Sequence, residues 1–274
     1  MTFGSEPEAE KWLKQVSYYR MSGYWYPLLA DKEKHIFKSG TTFEQAKTLY
    51  EFDCQLRHLV MTYIEIIEVA VRTQMAYILS QAHNGLWFED ATLFSNVVQH
   101  AKTLQNISEE YNRSDEQFVK AFQCKYSDTF PPSWITLEIT SFGTMSILYQ
   151  QLKPGLPKRN VASFFGVSDT VFVSWLHTLV YVRNICAHHA RLWNRVFGIR
   201  PLMPRHTRRT FIQIPTSGTQ RVYFTLAIIR YIINGIDPKN TFGTELKKLI
   251  AKYPTINPSS MGFPNGWEQE ILWQ

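Results

Sequence analysis

The sequence predicts an all-helical fold in a single domain, and three observations carry that expectation. Apolar residues recur at helical spacing through one segment of more than about ten turns. Helix caps and Pro or Gly breaks bracket several shorter segments, and no repeat, low-complexity tract or linker divides the 274 residues. A hydrophobic content of 45%, with 15% aromatic residues, is enough to bury a sizeable core and excludes disorder as the main state.

Taken in order, Pro7 to Ala30 begins as a helix, with Trp12, Val16 and Tyr19 on one face, and ends in the aromatic block Tyr18-Tyr19-Arg20-Met21-Ser22-Gly23-Tyr24-Trp25-Tyr26-Pro27. That block suits the core better than a base-stacking platform. A capping box at Thr41 and Glu44 starts the long helix, whose Leu49, Leu56, Val60, Ile64, Ile67, Val71 and Ile78 run to the stop at Asn84-Gly85. Glu65, Glu68 and Arg72, three and four apart, read as a solvated ion-pair face.

Helices are expected at about 91–111 and 115–125, and another from a Ser133 cap to about Leu152, where alternating Ile135, Leu137 and Ile139 also suit a short strand. After the Pro154-Gly155-Leu156-Pro157 turn and a short helix, Ser168 or Asp169 caps a helix predicted over about 169–195. Residues 200–220 hold three prolines and read as loop, with room for a small β-hairpin or extended segment at Phe211 to Ile214. Helices at about 220–235 and 243–252 precede an irregular tail. The expected unit is 1–274, with N-terminal helices over 1–130 packed on a basic part over 131–274.

The opening MTFGSEPEAEK lacks the basic and then apolar run of a signal peptide, and no apolar run approaches the ~18 residues of a membrane span. Cys54, Cys124 and Cys186 are odd in number and far apart, which fits neither a disulfide framework nor a zinc ribbon. A soluble protein of a reducing cytoplasm, with no cofactor and no membrane partner, is the expectation.

Charge narrows the function. The whole chain carries +6, yet between Ile139 and Ile236 the only acid is Asp169, against twelve basic residues. From Thr170 to Ile236 all nine basic residues are arginine: Arg183, Arg191, Arg195, Arg200, Arg205, Arg208, Arg209, Arg221 and Arg230. Guanidinium matches phosphate oxygens with a planar fork of donors, so this stretch suggests a nucleic acid. The plainer alternative is docking against the acidic remainder of the chain.

Within the 169–195 helix lies Arg183-Asn184-Ile185-Cys186-Ala187-His188-His189-Ala190-Arg191-Leu192-Trp193-Asn194-Arg195. At about 100° per residue, Asn184, His188, Arg191 and Arg195 would form one stripe. An imidazole among fixed phosphate binders has the components of phosphodiester chemistry. Cys186 and His189 are spaced like half a zinc site, but no second pair stands near in sequence, and the scattered acids do not suit a two-metal nuclease.

These residues resemble the HEPN family, whose signature is an arginine, four to six residues, then a histidine; Arg183 and His188 fit, with polar Asn184 following the arginine. Arg200 and His206 repeat the string where Pro201 and Pro204 break the helix it needs. The likeness extends along the chain. YYRMSGYWYPL, Asp53 with Leu56-Arg57, Pro132-Ser133-Trp134 with Glu138, Ser141-Phe142-Gly143, RNICAHHARLWNR, and Met261-Gly262-Phe263-Pro264 with Trp267 resemble the AbiD/AbiF-like abortive-infection proteins of bacteria.

The resemblance implies a helical HEPN-like domain, a homodimer, and metal-independent RNA cleavage during phage defence. Arg183 and His188 would be catalytic, with Asn184, Arg191 and Arg195 binding RNA. Relatives similar to AbiF can be restrained by a small non-coding RNA, and a non-catalytic protein complexed with such an RNA is the alternative reading.

Overall fold

In a computed structural model describing residues 1–214 and 216–274, a 40-residue helix, α3 (Phe43–Ala82), forms the axis of the molecule. At 1.5 Å per residue it spans about 60 Å. Its capping box uses Thr42 and Gln45, one residue later than Thr41 and Glu44. The Thr42 hydroxyl accepts from the Gln45 amide at 3.2 Å, and the Gln45 side chain accepts from the Thr42 amide at 3.1 Å. Thr41 is taken up by the N-terminus, whose Thr2 amide donates to its carbonyl at 3.0 Å, and Glu44 instead accepts from the Gly4 amide.

Among the described residues ten further α-helices complete the fold, and most of them pack against this axis. α1 (Glu6–Val16) and α2 (Tyr18–Trp25) replace one predicted helix, because Ser17 turns the chain at φ 71° while its hydroxyl caps α2. A two-stranded hairpin, β1 (Leu29–Asp31) with β2 (Ile36–Phe37), follows. The hairpin expected near 211–214 does not form among the described residues. The amides of Gln213 and Ile214 both donate to the Glu270 carboxylate at 2.6 Å, which takes the donors a strand ladder would use.

α4 (Val97–Asn112) starts later than predicted, after a single turn at Ala91–Leu93, and α5 (Gln117–Lys125) follows. The helix predicted over 133–152 is two, α6 (Ser133–Ile139) and α7 (Phe142–Gln151), and no strand interrupts it. Thr140 is extended between them, its carbonyl accepting from Arg72 at 3.0 Å, while Ser141 caps α7. Arg72 is therefore a buried strut, also paired to Glu68 at 2.8 Å, and not part of a solvated face.

α8 (Leu156–Phe164), α9 (Asp169–Ala187), α10 (Val222–Ile236) and α11 (Phe242–Lys252) complete the set, and the all-α expectation holds. α10 lies almost wholly in the core against α3. The tail, irregular in backbone, is pinned by side chains: Glu270 accepts from Tyr223, Arg230 donates to the Leu272 carbonyl, and Lys247 to that of Trp273. Among the described residues no single helix is long and apolar enough to cross a membrane.

Candidate functional site

The helix carrying the Arg183 to Arg195 sequence stops at Ala187, eight residues earlier than predicted. His188 is its C-cap, and His189 takes the left-handed conformation at φ 54°. The His189 amide donates to Cys186 O at 3.0 Å and the Ala190 amide to Ile185 O at 2.9 Å, which together make a Schellman stop. Glycine usually holds that left-handed position, and without one the sequence reads as continuous helix. Histidine is among the few other residues enriched there.

The predicted stripe therefore comes apart. Asn184 stays on α9, His188 sits at its end, and Arg191 and Arg195 belong to the loop beyond. That loop turns inward, burying Leu192 and Trp193.

What holds the loop is Asp53, to which the sequence attached no role. Its fully buried carboxylate accepts from the Leu192 amide at 3.2 Å, the Trp193 amide at 2.5 Å and the Tyr24 hydroxyl at 2.6 Å, and pairs with Arg57. Burial pushes Asp53 above the ordinary carboxylate value, against the opposing pull of Arg57, Tyr24 and both amides. Tyr24, desolvated and beside that carboxylate, is held well above an ordinary phenol. One anion thus ties α2, α3 and the loop together. An acid on the same helix face as apolar Leu49, Leu56 and Val60, four residues before an arginine, is the available signal.

Between α2 and the loop lies an open groove of about 450 Å³, walled by Tyr19, Arg20, Gly23 and Tyr24 on one side and His188, His189, Ala190 and Arg191 on the other. No carboxylate lines it. Arg20 donates to the His189 carbonyl at 2.5 Å, bracing the left-handed residue from across the groove. Arg191 is half-buried; burial lowers its guanidinium from the ordinary value, and its Nη1 donates to the Trp193 carbonyl at 3.2 Å. Arg195 donates to the Arg191 carbonyl at 3.1 Å.

Of the sequence-predicted residues, the groove gathers His188 and Arg191. Arg183 and Asn184 lie outside its walls, and the Arg183 guanidinium donates to the Asn184 side chain at 3.3 Å. Arg195 is also outside. Tyr19, expected on one helix face with Trp12 and Val16 but carried by α2 beyond the Ser17 turn, and Arg20, expected only as part of the aromatic block, are the additions.

The block itself divides. Met21, Tyr24 and Trp25 are core, whereas Tyr18 and Tyr19 are 69% and 88% exposed. The arginines divide too. Arg209, Arg221 and Arg230 donate to backbone carbonyls of Phe165, Ser260 and Leu272 and serve as internal struts. Among the described residues, none of the nine arginines from 183 to 230 pairs with a carboxylate, so ion pairing to the acidic remainder does not account for them. Cys186 is sealed in the core, where burial pushes its thiol up to about 12, while His189 is exposed.

Neither a curated protein nor a solved structure matches the chain. A family model described as Abi-like protein does match, over residues 11–194. That span is about two thirds of the chain and contains the aromatic block, Asp53, Arg57, Arg183, His188 and Arg191; the Met261 to Trp267 block lies beyond it. The chain belongs to the Abi-like protein family.

Proposed function

Family membership suggests abortive-infection defence, and we propose that the chain serves it as a metal-independent endoribonuclease of HEPN type. The observation that carries this reading is an exposed imidazole, His188, at the wall of an acid-free groove that also holds Arg20 and Arg191. In the proposed reaction the RNA 2′-oxygen attacks the adjacent phosphorus. The P–O2′ bond forms and the P–O5′ bond breaks, leaving a 2′,3′-cyclic phosphate and a 5′-hydroxyl. His188 acts as general base or acid on the protons of those oxygens, and Arg183 stabilises the charge on the phosphorane.

The end groups of the products test this directly. Cleavage of RNA by the purified protein is expected to survive EDTA and to leave cyclic phosphate ends. Products ending in a 3′-hydroxyl, or activity that EDTA stops, would refute the mechanism. RNA binding with no cleavage would favour the alternative, a binding protein for a small non-coding RNA.

We further propose that the site is shared between two copies. Five residues on a helix separate directions by about 140°, so Arg183 and His188 of one chain aim apart. The position of Arg183 outside the walls of the His188 groove supports this. In a two-fold dimer each phosphate would meet His188 of one copy and Arg183 of the other. Mixing inactive Arg183→Ala with inactive His188→Ala protein should restore part of the activity, because mixed dimers rebuild one complete site. A fully active monomer at high dilution would exclude sharing.

Arg191 and Arg195 are assigned to the RNA backbone. Each replaced by glutamine should weaken binding of single-stranded RNA and lower the slope of log affinity against log salt by about 0.7 for each lost phosphate contact. Unchanged slopes in both variants would remove these residues from the interface.

A further inference from the structure

The groove has a wall that the proposed chemistry does not use. Tyr19 and Arg20 come from α2, about 170 residues away in sequence from His188, and both face the same space. Tyr19 is 88% exposed, the most of any large apolar or aromatic side chain that stands out from the surface. Its neighbour Tyr18 packs on Trp25 with ring centroids 5.0 Å apart, whereas the Tyr19 ring has no aromatic partner among the described residues. A ring left so far out of the core adds little to folding, and both of its faces are free to take another flat group.

Arg20 is fixed differently. One guanidinium nitrogen is committed to the His189 carbonyl, and the remaining donors make no hydrogen bond among the described residues. Guanidinium carries five N–H donors, so most of the fork is open to phosphate oxygens. Arg191 stands on the opposite wall, where a Cβ placed on Gly23 of α2 would meet its Cδ and Nε at 3.8 Å, an ordinary van der Waals contact. At about 450 Å³ the space lies within the range of small-ligand pockets and has room for one nucleotide.

We propose that Tyr19 and Arg20 form a single-nucleotide subsite of the RNA groove, with the base stacked on Tyr19 and its phosphate held between Arg20 and Arg191. This rests on RNA being the ligand of the His188 groove. Stacking reads no base edge, and the hydroxyls nearby are engaged locally: Ser17 accepts from the Arg20 amide and Ser22 donates to the Tyr19 carbonyl. The subsite therefore selects for a flat base attached to a phosphate and tolerates base identity. It also gives the N-terminal helix pair a task in recognition, since Ser17 at φ 71° sets the direction in which α2 presents both side chains.

The test is affinity for a short fluorescein-labelled single-stranded RNA of mixed sequence, measured by anisotropy in a His188→Ala background so that no cleavage intervenes. Tyr19→Ala should weaken binding by roughly 5- to 150-fold, the range reported by removal of one stacked base contact. Tyr19→Phe should bind like the parent and Tyr19→Leu should not, since only a ring restores stacking. All three should keep the parent melting temperature, because the side chain is outside the core. If Tyr19→Ala binds like the parent while Arg191→Gln binds more weakly, the subsite is wrong and the RNA groove stands. If Tyr19→Leu restores binding, the contact is merely apolar and stacking is overturned. Absence of RNA binding by the parent itself overturns both.

Discussion

His188→Ala is expected to lower RNA cleavage by about 10² to 10⁴, the usual cost of removing one proton-transfer group. The fold should not register the change. The His188 ring is exposed, and what the fold takes from this residue is its backbone, whose amide donates to Asn184 O at 3.0 Å to close α9. Alanine supplies the same amide and needs no special backbone conformation there, because the left-handed position belongs to His189. The measurement is a single-turnover rate on RNA, paired with a melting curve. An unchanged melt with a collapsed rate assigns the ring to chemistry. A parent-like rate would remove His188 from the mechanism.

The second large effect is on the fold. Asp53→Ala should cost about 3–5 kcal/mol, because it leaves the buried Arg57 guanidinium without its counter-charge. The Leu192 and Trp193 amides lose their acceptor in the same step, at about 1–3 kcal/mol for each buried group left unpaired. Since native domains are stable by only about 5–15 kcal/mol, a large fraction of the variant should be unfolded or close to it. Urea unfolding measures the loss directly.

Asp53→Ala combined with Arg57→Met separates the two contributions. Removing both charges should recover part of the stability, since the uncompensated cation is gone. Cleavage should not recover, because the loop amides still lack an acceptor and the turn presenting His188 is no longer held. A double variant with parent-like cleavage would show that Asp53 acts only through folding. A single Asp53→Ala variant with an unchanged urea midpoint would overturn the account of the anchor altogether.

Much was legible from local pattern. The helical period of Leu49 to Ile78 identified α3, and the Ser168 cap placed the start of α9. The acid-free, arginine-only stretch pointed to the part of the chain that lines the groove. These are features in which each residue reports on neighbours within a few turns: side chains three and four apart share a helix face, and a cap bonds an amide three residues on.

The misplacements share a cause of the opposite kind. The sequence predicts helix through Arg195 because the stop of α9 lacks glycine, and the left-handed His189 is braced by Arg20, about 170 positions away. The local pattern predicts one helix over 133–152 because nothing nearby reveals that Arg72 claims the Thr140 carbonyl. The alternation at 211–214 suits a hairpin, but Glu270, distant in sequence, takes the Gln213 and Ile214 amides.

Sequence alone determined the helical class, the axis helix and the residue types available for phosphate chemistry. Tertiary structure decided where α9 ends, that His188 and Arg191 share a groove while Arg183 and Arg195 do not, and that Tyr19 and Arg20 complete it. The reason is physical. A buried donor or acceptor must find a partner wherever the fold provides one, so Asp53 positions a loop some 140 residues later through hydrogen bonds that no local spacing encodes.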